Sequence, residues 1–172
     1  MDSRDFTARF TVDQPPDAVY AAICDVRRWW SADITGSADR VGDRFVHRVR
    51  DLHRCEIEVT QMVPGRRITW TVLDNHFSFT MDTTEWTGTD IVFEIATADG
   101  RTELCFTHLG LVPEYECHDV CSDGWNTYLA SLHDLVATGH GRPYAGEART
   151  DSERVLMDQG PKDRAPKDPA QA

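Results

Sequence analysis

The residue best placed for chemistry is His108, which ends an alternating segment. Leu104 and Phe106 precede it at a spacing of two, so the three side chains point to the same face of a strand. An inward imidazole at the end of a strand can orient a ligand or move a proton as a general base. The alternative is a histidine bonded to a backbone carbonyl at the rim of the core. Glu94 and Glu103 lie at the opposite parity and are expected to be solvated.

A second candidate cluster is the pair Cys117 and Cys121, four residues apart with His118 between them. Two thiolates at this spacing on a helix can share an ion, but a structural zinc site needs four ligands, usually from a knuckle on a turn. His118 points about 100° away from Cys117 on a helix, and Cys105 lies at the opposite parity to Phe106. We therefore expect no metal or other cofactor. The two cysteines are interpreted as small core residues, with a redox-reactive thiol as the remaining alternative.

Other catalytic signals are scarce. The chain contains no Gly-x-Ser-x-Gly elbow, no Walker loop, no dinucleotide fingerprint and no His-Glu-x-x-His. His47 and His53 flank the charged segment 48–51, which is most simply a solvated hairpin tip. An enzyme built on this chain would have to use the shape of a pocket and one or two polar groups.

Composition excludes several classes of function. A chain of 172 residues fits one domain with a sizeable core. Its formal net charge of −11 argues against a protein that binds nucleic acid or an anionic membrane surface. No apolar run approaches the roughly 18 residues of a transmembrane helix, and the N-terminus does not resemble a signal peptide. The five cysteines are odd in number and lie mostly in apolar patterns, which suits buried thiols in the cytoplasm.

The elements that must position these residues are mostly strands. Cys55, Ile57 and Val59, for example, alternate with charged neighbours, so one face of their strand is apolar and the other is wet. Turn signals at Pro64-Gly65 and at 98–100 separate such segments. Strands are predicted over residues 6–12, 44–49, 54–63, 67–73, 77–83, 90–97 and 102–109. The pattern indicates an antiparallel sheet with one buried face.

Helices are predicted at three places. A short helix begins near Pro15-Pro16, and a second one contains Trp29-Trp30, which should close one end of the core. A long helix near the C-terminus places its apolar residues on one face. These residues are Cys117, Cys121, Trp125, Leu129, Leu132 and Val136. That face must lie against the sheet.

The chain is predicted to divide into a domain over residues 1–144 and a polar tail over residues 145–172. From about Ala145 the sequence is mixed in charge and contains Pro161, Pro166 and Pro169. Such a segment cannot bury enough apolar surface to offset its ordering entropy, so we expect it to be disordered.

Four segments together carry a resemblance to a known family. They are residues 10–12 running into 15–22, the pair Trp29-Trp30, residues 105–111 and residues 115–132. Over about residues 5–143 the chain resembles the helix-grip superfamily (START-like, Bet v 1-like, SRPBCC), and in particular the branch related to the activator of Hsp90 ATPase. The resemblance implies an α+β helix-grip fold. In that fold a seven-stranded antiparallel sheet wraps around one long C-terminal helix, two short helices follow the first strand, and a pocket lies between sheet and helix.

The resemblance and the aromatic residues together predict a ligand pocket. An empty void of roughly 300 Å³ would cost about 7 kcal/mol at about 24 cal/mol per Å³, so the gap is either filled by aromatic side chains or is hydrated or occupied. The candidate ligand-binding residues are Trp70, Phe79, Met81, Trp86, Phe93, Phe106, His108, Cys121 and Trp125. We expect a small-molecule binding protein whose partner is a hydrophobic or aromatic ligand.

Two alternatives stay open at this point. One is a cyclase- or hydrolase-type enzyme that uses His108 as a general base in the same pocket. The other is an interaction module of the Hsp90 co-chaperone type, whose partner would contact the outer face of the sheet around Glu56 and Glu58. We also expect a homodimer. The many aromatic residues fit several classes of ligand equally well.

Overall fold

One antiparallel sheet and one long helix form most of the structure, a computed structural model that describes residues 4–159. The elements are β1 (Phe6–Val12), α1 (Pro16–Cys24), α2 (Val26–Trp29), β2 (Thr35–Gly36), β3 (Arg44–Val49), β4 (His53–Val63), β5 (Arg67–Phe77), β6 (Asp90–Ala98), β7 (Arg101–Leu109), α3 (His118–Thr138) and α4 (Asp151–Asp158). The seven strands pair antiparallel in the order β1-β7-β6-β5-β4-β3-β2. The predicted α+β helix-grip fold is confirmed.

The alternation of apolar and polar residues produces a sheet with one buried face. In β4, Cys55, Ile57 and Val59 are fully buried, whereas Glu56 and Glu58 on the opposite face remain partly exposed. The β4–β5 register shifts twice along this pair. Such bulges bend the strands and increase their twist, which lets the sheet curve around the helix.

The hairpin between β6 and β7 is a tight two-residue turn. Asp99 and Gly100 have φ angles of 52° and 75°. A type I′ turn requires positive φ at both central residues, and the Asp-Gly pair tolerates that conformation. The turn fixes the register that brings His108 opposite Ile91.

The two ends of α3 are capped in different ways. At the N-terminus the Glu85 carboxylate, from the loop after β5, accepts hydrogen bonds from the backbone N–H groups of Glu116 (3.0 Å) and Cys117 (3.1 Å). At the C-terminus Gly139 adopts a left-handed conformation (φ 83°), and its N–H bonds to the carbonyl of Leu135. These contacts satisfy terminal backbone groups and fix the position of the helix over the sheet.

The predicted strand over residues 77–83 is wrong. Phe77 ends β5, and residues 78–89 form a loop; the seventh strand is instead the short β2. Polar side chains in the loop bond to nearby backbone: Thr80 Oγ1 donates to the Asp82 carbonyl, and the Asp82 carboxylate accepts from Thr84 N–H. Such local bonds compete with a strand ladder, which explains the difference.

The predicted disorder of residues 145–172 is wrong for residues 151–158, which form α4. Thr150 caps this helix, because its side chain accepts a hydrogen bond from the backbone N–H of Glu153. The Thr-x-x-Glu spacing is the sequence signature of a capping box, and the Glu153 carboxylate accepts a hydrogen bond from the backbone N–H of Arg149. The polar composition of the segment obscured this helix-start signal. The rest of the predicted tail, residues 160–172, lies outside the described residues.

Trp29 and Trp30 lie inside the core rather than at one end of it. Both indoles stack on Trp70, with ring centroids 6.3 and 6.0 Å apart. Their exposed fractions are 0% and 2%. The end of the short helix α2 and the residue that follows it therefore place two of the largest core side chains beside β5.

Candidate functional site

The space between the sheet and α3 is filled by aromatic rings. The ring centroids of Trp70 and Phe93 are 4.7 Å apart, those of Phe93 and Phe106 are 5.2 Å apart, and those of Phe106 and Trp125 are 4.7 Å apart. All four side chains are buried. Trp70, Phe93 and Phe106, which were predicted to contact a ligand, do not line the cavity described next and instead form the core under α3.

A cavity of about 60 Å³ lies beside this core, at the end of the sheet that carries β3 and β4. Its walls come from β3, β4, the end of β5, the loop 78–89, α3 and α4. Among the predicted ligand-binding residues, Phe79, Trp86, Cys121 and Trp125 line it. Met81 does not line the cavity, and it is 50% exposed to solvent. The cavity thus lies against the N-terminal half of α3, where the predicted residues Cys121 and Trp125 are located.

His108 is fully buried and belongs to a chain of hydrogen bonds. The Trp125 indole N–H donates to its Nδ1 (3.1 Å), and its Nε2 lies 2.8 Å from Thr89 Oγ1. Thr89 in turn donates to the carbonyl of Trp86 (2.6 Å). Because an indole nitrogen can only donate, the imidazole proton must be on Nε2. His108 therefore ties α3 to the loop 78–89, and neither nitrogen is left for a ligand.

Burial lowers the pKa of His108 to about 3, so the imidazole stays neutral at ordinary pH. A general base works best with a pKa near the working pH. Both its pKa and its engaged nitrogens argue against the predicted role of His108 in orienting a ligand or moving a proton. The inward direction inferred from the alternation is nevertheless correct.

Two histidines that the sequence analysis placed in a solvated hairpin tip line the cavity. His47 is 2% exposed, and its ring lies 4.5 Å from that of Trp30. The ring of His53 stacks on Phe77 at 4.3 Å and meets the edge of Trp86 at 4.7 Å. The signal that could have placed them is the period of two, because His47 continues the buried series in β3 and His53 begins the one in β4.

The electrostatics of this histidine pair are dominated by burial. Burial lowers the pKa of His47 to about 3. The pKa of His53 is also lowered, by burial first and then by the neighbouring histidines. Nδ1 of His47 and Nε2 of His53 are buried atoms without a hydrogen-bond partner among residues 4–159. Buried polar groups are usually hydrogen-bonded, so these two nitrogens are unsatisfied polar atoms in a mostly apolar cavity wall.

The two cysteines at the start of α3 are buried thiols. Burial raises the pKa of Cys121 well above its ordinary value, with neighbouring Cys117 adding to the shift. A thiol held protonated is a poor nucleophile and a poor metal ligand. Within residues 4–159, no group of three or more His, Cys, Asp or Glu side chains could hold a metal ion.

Helix α4 forms the outer wall of the cavity. Leu156 contributes an apolar side chain, and the carboxylate of Glu153 is buried beside it. The Tyr128 hydroxyl donates to Glu153 Oε1 (3.2 Å), and Ser152 donates to Asp123 (2.7 Å). The wall is therefore attached to α3 by few polar contacts.

The curved sheet, the long helix across it and the cavity beside that helix define a protein of the helix-grip class. The chain belongs to the family described as "Activator of Hsp90 ATPase homolog 1-like protein", whose model matches residues 13–137. The matched residues end before α4, so the outer wall of the cavity lies beyond the family pattern.

Several solved structures share the fold. The solution structure of the Aha1 dimer from Colwellia psychrerythraea is 25% identical, covers 80% of this chain and 98% of its own, and superposes with a TM-score of 0.65. DynU16, from the dynemicin biosynthetic locus, is 17% identical and covers 81% of this chain and 49% of its own, with a TM-score of 0.61. Protein MLL2253 from Mesorhizobium loti is 16% identical and covers 77% and 96%, with a TM-score of 0.63. No match was found among curated protein sequences.

A search of residues 4–159 for a helix long and apolar enough to cross a membrane finds none.

Proposed function

We propose that this protein binds a small, largely apolar or aromatic molecule in the cavity bounded by β3, β4, α3 and α4. The observation that supports this most directly is the mixed character of the wall. Aromatic rings of Trp86, Phe77 and Trp125 supply contact area, while His47 and His53 in the same wall each have one buried imidazole nitrogen without a protein partner among the described residues. Ligand sites are mostly apolar surfaces with a few placed polar groups.

The cavity is small enough that one of its walls must move when the aromatic ring of a ligand enters. A cavity of about 150 Å³ accommodates benzene, whereas this one measures about 60 Å³. Helix α4 is joined to α3 by the hydrogen bonds Tyr128–Glu153 and Ser152–Asp123. An outward shift of α4 enlarges the cavity without disturbing the aromatic core, so we propose that ligand entry displaces this helix.

The role of α4 predicts a difference between two neighbouring substitutions. Leu156→Asp places a charge against the cavity and should loosen α4, because a buried unpaired charge is costly. Val155→Asp is the matched control, since Val155 is 56% exposed. Amide hydrogen exchange over residues 151–158 should accelerate about tenfold in the first variant only, and toluene should associate faster. Faster exchange with an unchanged association rate would show that α4 does not control entry.

A pair of substitutions at Gly124 tests whether the cavity is the binding site. Gly124 lines the cavity, and a Cβ added there meets no atom within 4 Å in the described part of the chain. Gly124→Ala should stabilise α3 by about 0.5–1 kcal/mol and leave binding intact. Gly124→Leu should fill the cavity and weaken binding of toluene or phenol at least tenfold.

The readout for the Gly124 pair comes from the tryptophans. The sequence contains five, so five indole N–H signals are expected in a nitrogen-15 correlation spectrum. Saturable shifts at Trp86 and Trp125 on titration of each probe would support the site. Equal affinities in the wild type and in Gly124→Leu would place binding elsewhere and reject the proposal.

The other candidate functions have weaker support. A cyclase or hydrolase that uses His108 as a base is disfavoured, because both of its nitrogens are engaged within the core. The interaction module stays a prediction; Glu56 and Glu58, its expected contact residues, lie 4.0 and 3.7 Å from Arg44 in ion pairs. The homodimer is likewise a proposal, supported by the description of the Colwellia relative as a dimer.

A further inference from the structure

The polar part of the cavity wall includes two histidines, His47 and His53, that each have an unsatisfied buried nitrogen. His47 and His53 are neighbours with ring centroids 5.8 Å apart, and the rings meet nearly at right angles. His47 Nδ1 and His53 Nε2 are both buried and find no hydrogen-bond partner in the chain from residue 4 to residue 159. A ligand group that bonded to them would remove the cost of leaving two buried nitrogens unsatisfied.

Both imidazoles stay neutral at physiological pH, because burial lowers their pKa values. A neutral imidazole offers one N–H donor and one lone-pair acceptor, and either nitrogen can carry the proton. The ligand group must therefore match a donor, an acceptor, or one of each. A hydroxyl is the smallest group that does all three, since it both donates and accepts.

Charged ligand groups fit this place poorly. A carboxylate can only accept, and it would lie near the buried carboxylate of Glu153, which lines the same cavity. An ammonium can only donate, and the oxygens of Glu153 already accept from the Tyr128 hydroxyl and from the backbone N–H of Arg149. Removing either charge from water into an aromatic wall is expensive unless it is paired.

The apolar remainder of the wall indicates what the hydroxyl is attached to. The rings of Trp86 and Trp125 stack in parallel with centroids 5.7 Å apart, and Phe77 and Leu156 complete the surface. We infer that the ligand is a neutral aromatic molecule with a ring hydroxyl, and that this hydroxyl binds to His47 and His53. The inference rests on the proposed function and adds the chemical class of the ligand.

Phenol and toluene form a probe pair that separates the two claims, because they differ by a hydroxyl in place of a methyl group of similar size. Affinities are measured at pH 7 from the indole N–H shifts in the wild type, in His53→Phe and in His47→Phe. His76→Gln serves as the control, since His76 is exposed on the same strand as Phe77. Each histidine-to-phenylalanine change should weaken phenol binding about tenfold, whereas toluene binding should stay the same or strengthen.

A wild-type measurement keeps the test valid if a variant fails to fold. The imidazole nitrogen-15 signals of His47 and His53 should shift on addition of phenol and not on addition of toluene. If both probes bind but neither the variants nor the imidazole signals distinguish them, the assignment of a hydroxyl ligand is wrong while the cavity remains a binding site. If neither probe binds up to its solubility, the proposed function and this inference both fail.

Discussion

Lowering the pH from 7 to 5 is expected to reduce the free energy of unfolding by about 4 kcal/mol through His47 and His108, with His53 acting in the same direction. Three histidines cause the loss: His47, His53 and His108 are buried, and burial lowers the pKa of each, to about 3 for His47 and His108. In the unfolded chain the same side chains titrate near pH 6.5. The unfolded state therefore binds more protons in this range, and stability falls as the pH falls.

The size of the effect follows from the separation of the two pKa values. Stability is complete above about pH 6.5 and declines toward pH 3, and His47 and His108 each contribute about 2 kcal/mol between pH 7 and pH 5. A typical domain has only about 5–15 kcal/mol in total. Burial raises the pKa of Glu85 and so opposes the trend, but one carboxyl cannot offset three imidazoles.

Urea unfolding at a series of pH values measures this loss directly. His47→Phe should reduce the loss between pH 7 and pH 5 by about 2 kcal/mol, because one buried titrating group is gone. His76→Gln is the matched control, because it replaces an exposed histidine instead of a buried one. Equal stability at pH 7 and pH 5 would contradict the buried neutral state of the three histidines.

Replacing His108 by alanine is expected to destabilise the fold by about 4 kcal/mol. The change removes both hydrogen bonds of the imidazole and leaves the buried N–H of Trp125 without its acceptor. It also opens a void under α3. The substitution also breaks one of the connections between α3 and the loop 78–89, so ligand binding should weaken as well.

His108→Gln is the informative companion variant. Glutamine offers a carbonyl acceptor and an N–H donor, which can partly replace the bonds to Trp125 and Thr89. It should recover about half of the stability lost in His108→Ala, measured by thermal unfolding at pH 7. Equal destabilisation in both variants would show that ring packing, rather than hydrogen bonding, is what His108 contributes.

Periodicity was sufficient to predict six of the seven strands and much of the core. Cys55, Ile57 and Val59 are buried as their alternation requires, and Trp125 and Leu132 face the sheet from α3. These patterns are reliable because burying a large apolar face dominates the free energy of folding. The same reasoning placed His108 inside correctly.

The site was harder to predict because its residues break the apolar pattern. His47 and His53 occupy inward positions, but their polarity and the charged segment between them suggested a solvated turn. The loop 78–89 contains apolar Phe79 and Trp86, so its sequence pattern resembles that of a strand. Its local hydrogen bonds, however, compete with pairing to a neighbouring strand. Composition also hid α4, whose wall residue Leu156 lies in a mostly polar segment.

Most of the space between sheet and helix is filled for a physical reason. A large void under α3 would be costly, and Trp29 and Trp30 fill that space from α2. Sequence order alone does not show that these two indoles reach Trp70. The remaining cavity therefore lies at the side of α3, between that helix and strands β3 and β4, where α4 completes the wall.

The most direct test of the binding site is a crystal structure of the protein at saturating phenol. We expect phenol in the cavity, its ring beside Trp86, its hydroxyl at hydrogen-bond distance from His53, and α4 displaced outward. A structure in which phenol is absent from the cavity and α4 has not moved, despite saturating concentration, would contradict the account.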